Sequence, residues 1–398
     1  MSDIRFKQFY FFIFFTALLP YFPYVIAFLP STLLGFNWTG WAWIIMLVVT
    51  VNNLFKTENI TFPIWDWLPW AIFLVVYLIV DFSFLGLQLT LQYLLPLFIG
   101  FIASGFTYSE VKLLWLFRNL MLLCVSIVLM FVYGYLFRNG YSPNGSSTPM
   151  LLSVAASILV GNYFMTKTKK SILYFALFFS VPFLDVTRMG IAVFLAIFIF
   201  HFANRKINMK ILYGLIGLIC VIIVFNSNSF QEKTFGENRG GLKDLSLNYY
   251  ENSNIQNNGR NAWKMALEPG IIAKPMLGNG PRADNKELKA ITGLATGEAH
   301  NDYMSIQFNY GYLGLALLLI GFGATFIRFL YMLKQINEPW LYLLCTSTMT
   351  LFISFLMFMY TDNILKYTIF FPDLFFALIG IVFSIYKNGW EKEEESGN

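Results

Sequence analysis

Four positions in this 398-residue sequence carry side chains suited to chemistry against a background that offers little of it. Arg188 lies in Asp185-Val186-Thr187-Arg188-Met189-Gly190, and Arg260 in Gly259-Arg260-Asn261-Ala262-Trp263. Arg282 follows the glycine turn Gly278-Asn279-Gly280-Pro281, and His300 sits in Glu298-Ala299-His300-Asn301-Asp302-Tyr303. A guanidinium beside a helix N-terminus suits a phosphate, since both offer N–H donors and positive charge. A glycine turn lets backbone amides approach an anion. An imidazole in water titrates near pH ~6.5 and so can take a proton from a hydroxyl, with Glu298 or Asp302 to orient it. Three of these positions also have a plainer reading. Arg188 would pair with Asp185 or snorkel to a membrane interface, Arg260 would be an ordinary exposed arginine, and His300 a helix-capping or interfacial histidine. The second histidine, His201, precedes a basic cluster and reads as interfacial. No Walker loop, HExxH string, Ser-His-Asp context or carboxylate cluster suited to Mg²⁺ is present.

The elements that must hold these residues are membrane helices. Charged residues make up 12% of the chain and hydrophobic ones 57%, with 44 Phe and 22 Tyr, and the mean hydropathy is +0.61. A soluble domain is about one quarter charged, so this chain cannot cover a soluble surface. A membrane span needs about 20 mostly apolar residues. Runs at 9–30, 39–55, 64–82, 84–105, 111–137, 148–166, 171–187, 188–203, 210–226, 311–331, 339–361 and 367–386 meet that rule, which predicts an all-α polytopic membrane protein of twelve spans. Asp185, Thr187 and Arg188 split 171–203 into a hairpin. The first apolar run lacks a small-residue cleavage site and is followed by further spans, so no cleavable leader is expected. Cys124, Cys220 and Cys345 all fall in apolar runs and read as packing residues.

With the N-terminus in the cytoplasm, the same side receives Arg5, Lys7, Lys56, Lys112, Lys167, Lys169, Lys170, Arg205, Lys206, Lys210, Lys334 and Lys387. The opposite short loops hold only Arg138, Arg188 and Lys366, as the positive-inside rule requires. The net charge of +5 is therefore topological, and nucleic acid is not an expected partner. The chain divides into spans 1–9 (1–226), a large external loop (227–310), spans 10–12 (311–387) and a solvated acidic cytoplasmic tail (388–398). The loop carries nine Lys/Arg and nine Asp/Glu. Ala262 to Leu267 reads as a short helix with Trp263 on its apolar face. Loops of this length are functional or disordered.

Four strings, in order, resemble the O-antigen ligases and related bacterial polysaccharide polymerases. They are Thr187-Arg188-Met189-Gly190, Gly259-Arg260 through Trp263, Gly278-Asn279-Gly280, and His300 to Tyr303 leading into Tyr310-Gly311 through Gly314. Thr187 departs from the Ser commoner in the family but keeps the hydroxyl. The resemblance implies a membrane glycosyltransferase of the bacterial inner membrane with its active site facing outward. It would need no metal or other cofactor, and would move a glycan from an undecaprenyl-diphosphate donor to a sugar hydroxyl with inversion. Arg188 and Arg260 would stabilise the diphosphate leaving group, His300 would be the base, and Arg282, Gly278, Gly280, Trp263, Glu298, Asp302 and Tyr303 would line the substrate site. The acceptor separates a repeat-unit polymerase, the leading reading, from a ligase that joins the finished glycan to lipid A-core. Besides the bilayer, donor and acceptor, a chain-length regulator protein is a partner that the polymerase reading implies. A lipid-linked sugar transporter or flippase is the alternative of another class. It would usually show ionisable groups near the midplane or broken helices in symmetric halves, and neither is visible in the sequence.

Overall fold

The computed structural model describes residues 3–26, 28–137, 145, 147–202, 226, 231, 260–292 and 298–391. The described chain is helical apart from one two-residue hairpin, β1 (Thr32–Leu33) with β2 (Phe36–Asn37). Its helices are α1 (Asp3–Leu18), α2 (Phe22–Val25), α3 (Trp38–Leu54), α4 (Ile64–Val80), α5 (Phe84–Ser104), α6 (Glu110–Phe137), α7 (Ser147–Thr166), α8 (Lys169–Leu184) and α9 (Arg188–Phe202). After the residues outside the description come α10 (Arg260–Ala273), α11 (Ala283–Thr292), α12 (Asp302–Leu333), α13 (Pro339–Thr361) and α14 (Pro372–Asn388). Among the described residues six helical segments are long and apolar enough to cross a membrane, and α3, α4 and α9 are shorter apolar helices. The chain is an all-α polytopic membrane protein. The expected span 210–226 lies, apart from Asn226, outside the described residues.

Helix α14 is shorter than the expected 367–386 because Thr368–Phe370 forms a separate 3₁₀ turn and Pro372 opens the helix. Every residue from Pro372 to Ile385 is buried, Asp373 and Ser384 included, so this mostly apolar helix lies inside the bundle. It crosses α5 at glycines: a Cβ on Gly380 would lie 2.3 Å from the Gly100 carbonyl oxygen. Such contact between small residues lets two membrane helices pack backbone to backbone.

Neighbour contacts fix helix directions. Ser157 on α7 donates to the Ser347 carbonyl on α13, and the Gly161 position abuts Leu343, so α7 and α13 run antiparallel. Gly190 abuts Pro149 while Gly161 abuts His201, so α9 runs parallel to α7 and against α13. His201 is therefore not interfacial. It is buried in the bundle, with Nε2 3.2 Å from Thr350 Oγ1.

Arg205, Lys206 and Lys210 lie outside the description. Among the described residues, one end of the bundle collects basic residues expected in the cytoplasm. There Arg5 on α1 donates to the carbonyls of Asn53 and Lys56 at the end of α3, occupying carbonyls that a helix C-terminus leaves open. Glu391, expected in a solvated tail, instead pairs with Lys112 at 2.6 Å, and its amide donates to the Tyr108 carbonyl. The loop helices cover the other end. This polarity yields a topology prediction. In a background lacking native cysteines, Lys286→Cys on α11 should react with an impermeant thiol reagent in intact spheroplasts. Lys169→Cys should react only after permeabilisation. Equal labelling of both would contradict the orientation.

Candidate active site

Assembly of the site starts from a break in α12. Gly311 adopts φ +65°, ψ −170° inside the helix, a conformation open to glycine and costly for other residues. The amides of Tyr312 and Leu313 can no longer bond the carbonyls of Phe308 and Asn309, one turn back. All four groups find partners in the loop. Tyr312 N donates to Pro275 O (2.7 Å) and Leu313 N to Met276 O (3.1 Å), while Asn279 N donates to Phe308 O (2.8 Å) and Gly280 N to Asn309 O (3.0 Å). Buried backbone groups must be paired, so the break and the turn are two halves of one structure. Close approach demands glycine at both: a Cβ on Gly278 would lie 2.5 Å from the Asn309 carbonyl carbon, and one on Gly311 2.2 Å from Met276 O. The glycine turn thus differs from the sequence expectation. Its Asn279 and Gly280 amides anchor the loop and are not offered to an anion.

Helix α4 and its capping residue Asp81 make a second anchor. Tyr77 donates its hydroxyl to Gly278 O at 3.3 Å, and Gly280 (φ +110°) leaves room for the Asp81 carboxylate.

The third anchor holds the candidate histidine. Residues 362–367, between α13 and α14, contact the loop almost residue by residue. Asp362 Oδ1 lies 3.2 Å from His300 Nδ1. Asn363 Nδ2 donates to Glu298 at 3.4 Å, Leu365 N to Asp302 Oδ2 at 3.1 Å, Lys366 Nζ to Asp284 Oδ2 at 3.1 Å, and the Tyr367 hydroxyl to Glu298 at 2.9 Å. Arg282 completes the cluster through Glu298 at 3.0 Å. Burial would raise the Glu298 carboxyl, but Lys366, Arg282 and the Tyr367 hydrogen bond outweigh it and hold its pKa below the ordinary 4.5. Asp284 is held below 3.8 against its own burial by Lys366 and its bond from Ser305. A depressed carboxylate stabilises the fold above its unfolded pKa and loses that contribution as pH falls through the folded value. Both pairs are therefore intact at neutral pH.

His300 is thus oriented by Asp362, not by the nearby Glu298 or Asp302, which are committed elsewhere. Asp362 is nearly buried while the His300 side chain is 43% exposed. A carboxylate at Nδ1 favours the tautomer with the proton on Nδ1, which leaves Nε2 as an acceptor. The Trp263 ring lies 5.4 Å from the imidazole between centroids, so α10 is docked on the site. Arg260 opens that helix one turn before Trp263. His300 and Arg282 both have positive φ (+41° and +70°), as does Val186 (+51°) two residues before Arg188. Left-handed conformations cost non-glycine residues about 1–2 kcal/mol and gather at functional sites.

Arg188 reaches the same level by helix arithmetic. His201 lies against Thr350, and α9 runs against α13. Thirteen residues at 1.5 Å each carry Arg188 to the end of α13 that precedes Asp362. Tyr303 shares that level, since its hydroxyl donates to Leu356 O at 3.0 Å. Gly190 in the Thr-Arg-x-Gly string is needed where Pro149, Pro182 and Thr187 crowd α9, each within 2.9 Å of an added Cβ.

Residues 173–319 match the O-antigen ligase family. The chain carries a domain of that family. The match runs from α8 into α12 and includes Arg188, Arg260, the glycine turn, Arg282 and His300. The match supports a membrane enzyme of the O-antigen ligase/polymerase type, with a role in surface polysaccharide synthesis. No curated protein matches the chain. Asp362, Asn363, Lys366 and Tyr367 lie beyond the O-antigen ligase match yet contact His300, Glu298 and Asp284 within it. The signal that could have found them is polarity where hydropathy is otherwise high, since ionisable groups near a membrane are functional candidates.

Proposed function

We propose that the chain transfers a glycan from an undecaprenyl-diphosphate donor to a sugar hydroxyl at the outer face of a bacterial cytoplasmic membrane, by direct displacement and without a metal. The observation that carries this reading is the His300–Asp362 pair beneath a docked loop, with Nε2 left as the proton acceptor. The acceptor hydroxyl gives its proton to Nε2 as its oxygen attacks the anomeric carbon, and Asp362 stabilises the imidazolium that forms. The bond to the diphosphate breaks on the opposite face. Negative charge grows on the leaving group, so cations at that point stabilise the transition state more than the ground state. Arg188 and Arg260 take this role. Arg282, tied to Glu298, shapes the loop.

The leading acceptor is a second lipid-linked repeat unit, which makes the enzyme a polymerase. The alternative acceptor is lipid A-core, which would make the enzyme a ligase. Purified protein in chelator, given lipid-linked glycan and either acceptor, should release undecaprenyl diphosphate in step with product. Movement of lipid-linked sugar across vesicles without release would favour a flippase instead.

Arg188→Lys is expected to lower transfer at least about tenfold although the charge remains. A guanidinium grips two phosphate oxygens in a planar fork, whereas an ammonium is a point charge. Turnover on purified variant checks this, and near-normal activity would return Arg188 to a structural role.

A further inference from the structure

Lys366 and Asp284 form an ion pair with side chains 2% and 0% exposed. Neither belongs to the chemistry assigned above. Such a pair is weak evidence for stability, because desolvation offsets its attraction. A structure that retains one invites the question of what it orients. Asp284 is held on every side: its Oδ2 also accepts from Ser305 Oγ at 2.5 Å, its amide donates to Asn309 Oδ1 at 2.9 Å, and its Oδ1 accepts from Asn285 N at 2.8 Å. Ser305 and Asn309 lie on the short piece of α12 before the Gly311 break. Lys366 therefore joins three separate pieces: α11 of the loop, the start of α12, and the connection from α13 to α14.

His300 lies between those pieces. It follows α11 and precedes α12 in the chain, and its partner Asp362 sits four residues before Lys366. The connection is internally tied, since the amides of Lys366 and Tyr367 both donate to Asn363 O. Displacing Lys366 thus displaces the segment that carries Asp362 relative to the segment that carries His300. We infer that Lys366 is a positioning residue, whose buried bond to Asp284 sets the register between His300 and Asp362 and through it the aim of Nε2. The inference rests on the transferase reading for its effect on turnover, but its geometric content does not.

The experiment uses both properties on full-length purified protein. Lys366→Met keeps the stem and removes the bond. Lys366→Arg keeps a cation able to bridge. Asp284→Asn with Lys366→Met removes both charges, so that no unpaired buried charge destabilises the fold. Donor KM, kcat, thermal unfolding and the rate of His300 carbethoxylation, read by mass spectrometry, are measured on each. Buried His201 serves as the internal reference. Misplacement by about 1 Å can cost ~10²-fold in rate. Lys366→Met should therefore lose about 10- to 100-fold in kcat with donor KM within about twofold, and His300 should react several-fold faster. Lys366→Arg should stay within a few-fold of wild type on both readouts. The double variant should recover thermal stability but neither turnover nor the slow modification of His300. Recovery of all three by the double variant would overturn the inference, leaving charge balance as the pair's only role. Wild-type modification and turnover in Lys366→Met would overturn it too. Should the wild type show no transferase activity, the function reading fails, and the modification rates still decide the positioning.

Discussion

Replacing His300 with glutamine is expected to lower transfer by about 10²–10⁴-fold, the range typical of general-base assistance. A sugar hydroxyl is a poor nucleophile until its proton begins to leave. Glutamine keeps a hydrogen-bonding head of similar reach but cannot take that proton at neutral pH. Because His300 has φ +41°, part of any loss could come from backbone strain. His300→Asn is the control, since asparagine tolerates the left-handed region better than most residues. Both variants should accumulate in the membrane and bind donor as the wild type does, because the loop is anchored elsewhere. Turnover and donor affinity are measured separately on purified protein. A glutamine variant with full activity would leave His300 a positioning residue and require another base.

Asp362→Asn should cost nearly as much, within about tenfold of the His300→Gln loss, for a different reason. Asp362 accepts from Nδ1 at 3.2 Å, and an amide there can turn to donate instead. That stabilises the tautomer with the proton on Nε2, where the acceptor hydroxyl must deliver its own. Asp362→Ala removes the orienting bond without enforcing the wrong tautomer, so alanine should be no worse than asparagine. The two residues act as a unit, so their losses should not add. His300→Gln combined with Asp362→Asn should be about as slow as the worse single variant. Additive losses in kcat would mean that Asp362 serves some step other than orienting the imidazole.

The pieces that the sequence made legible are local. Apolar runs marked most of the helices, Asp185 to Arg188 marked the hairpin between α8 and α9, and Trp263 marked the loop helix now seen as Arg260–Ala273. What stayed hidden depends on contacts between distant positions. Asp362 lies 62 residues from the histidine it holds, and Lys366 lies 82 from Asp284. No spacing rule joins such pairs. The break at Gly311 is hidden because the apolar run opens at that residue, so hydropathy does not extend the helix back to Asp302 and registers no glycine that changes φ inside it. Gly278 and Gly280 do serve close backbone approach, as their spacing suggests, but their partner is the broken helix. Buried His201 looked interfacial because the basic residues that follow it signal a helix end, whereas its neighbours α7 and α13 extend past it.

The proposed transfer is a single displacement at the anomeric carbon, driven by a hydroxyl that His300 deprotonates. The most direct test is the configuration of the new glycosidic bond. Purified enzyme in chelator would be given a lipid-linked donor of known anomeric configuration, and the product linkage assigned by NMR coupling constants. Inversion is expected, with undecaprenyl diphosphate released once per bond formed. A product that retains the donor configuration would require a covalent or doubly displaced intermediate, and would contradict the role given to His300.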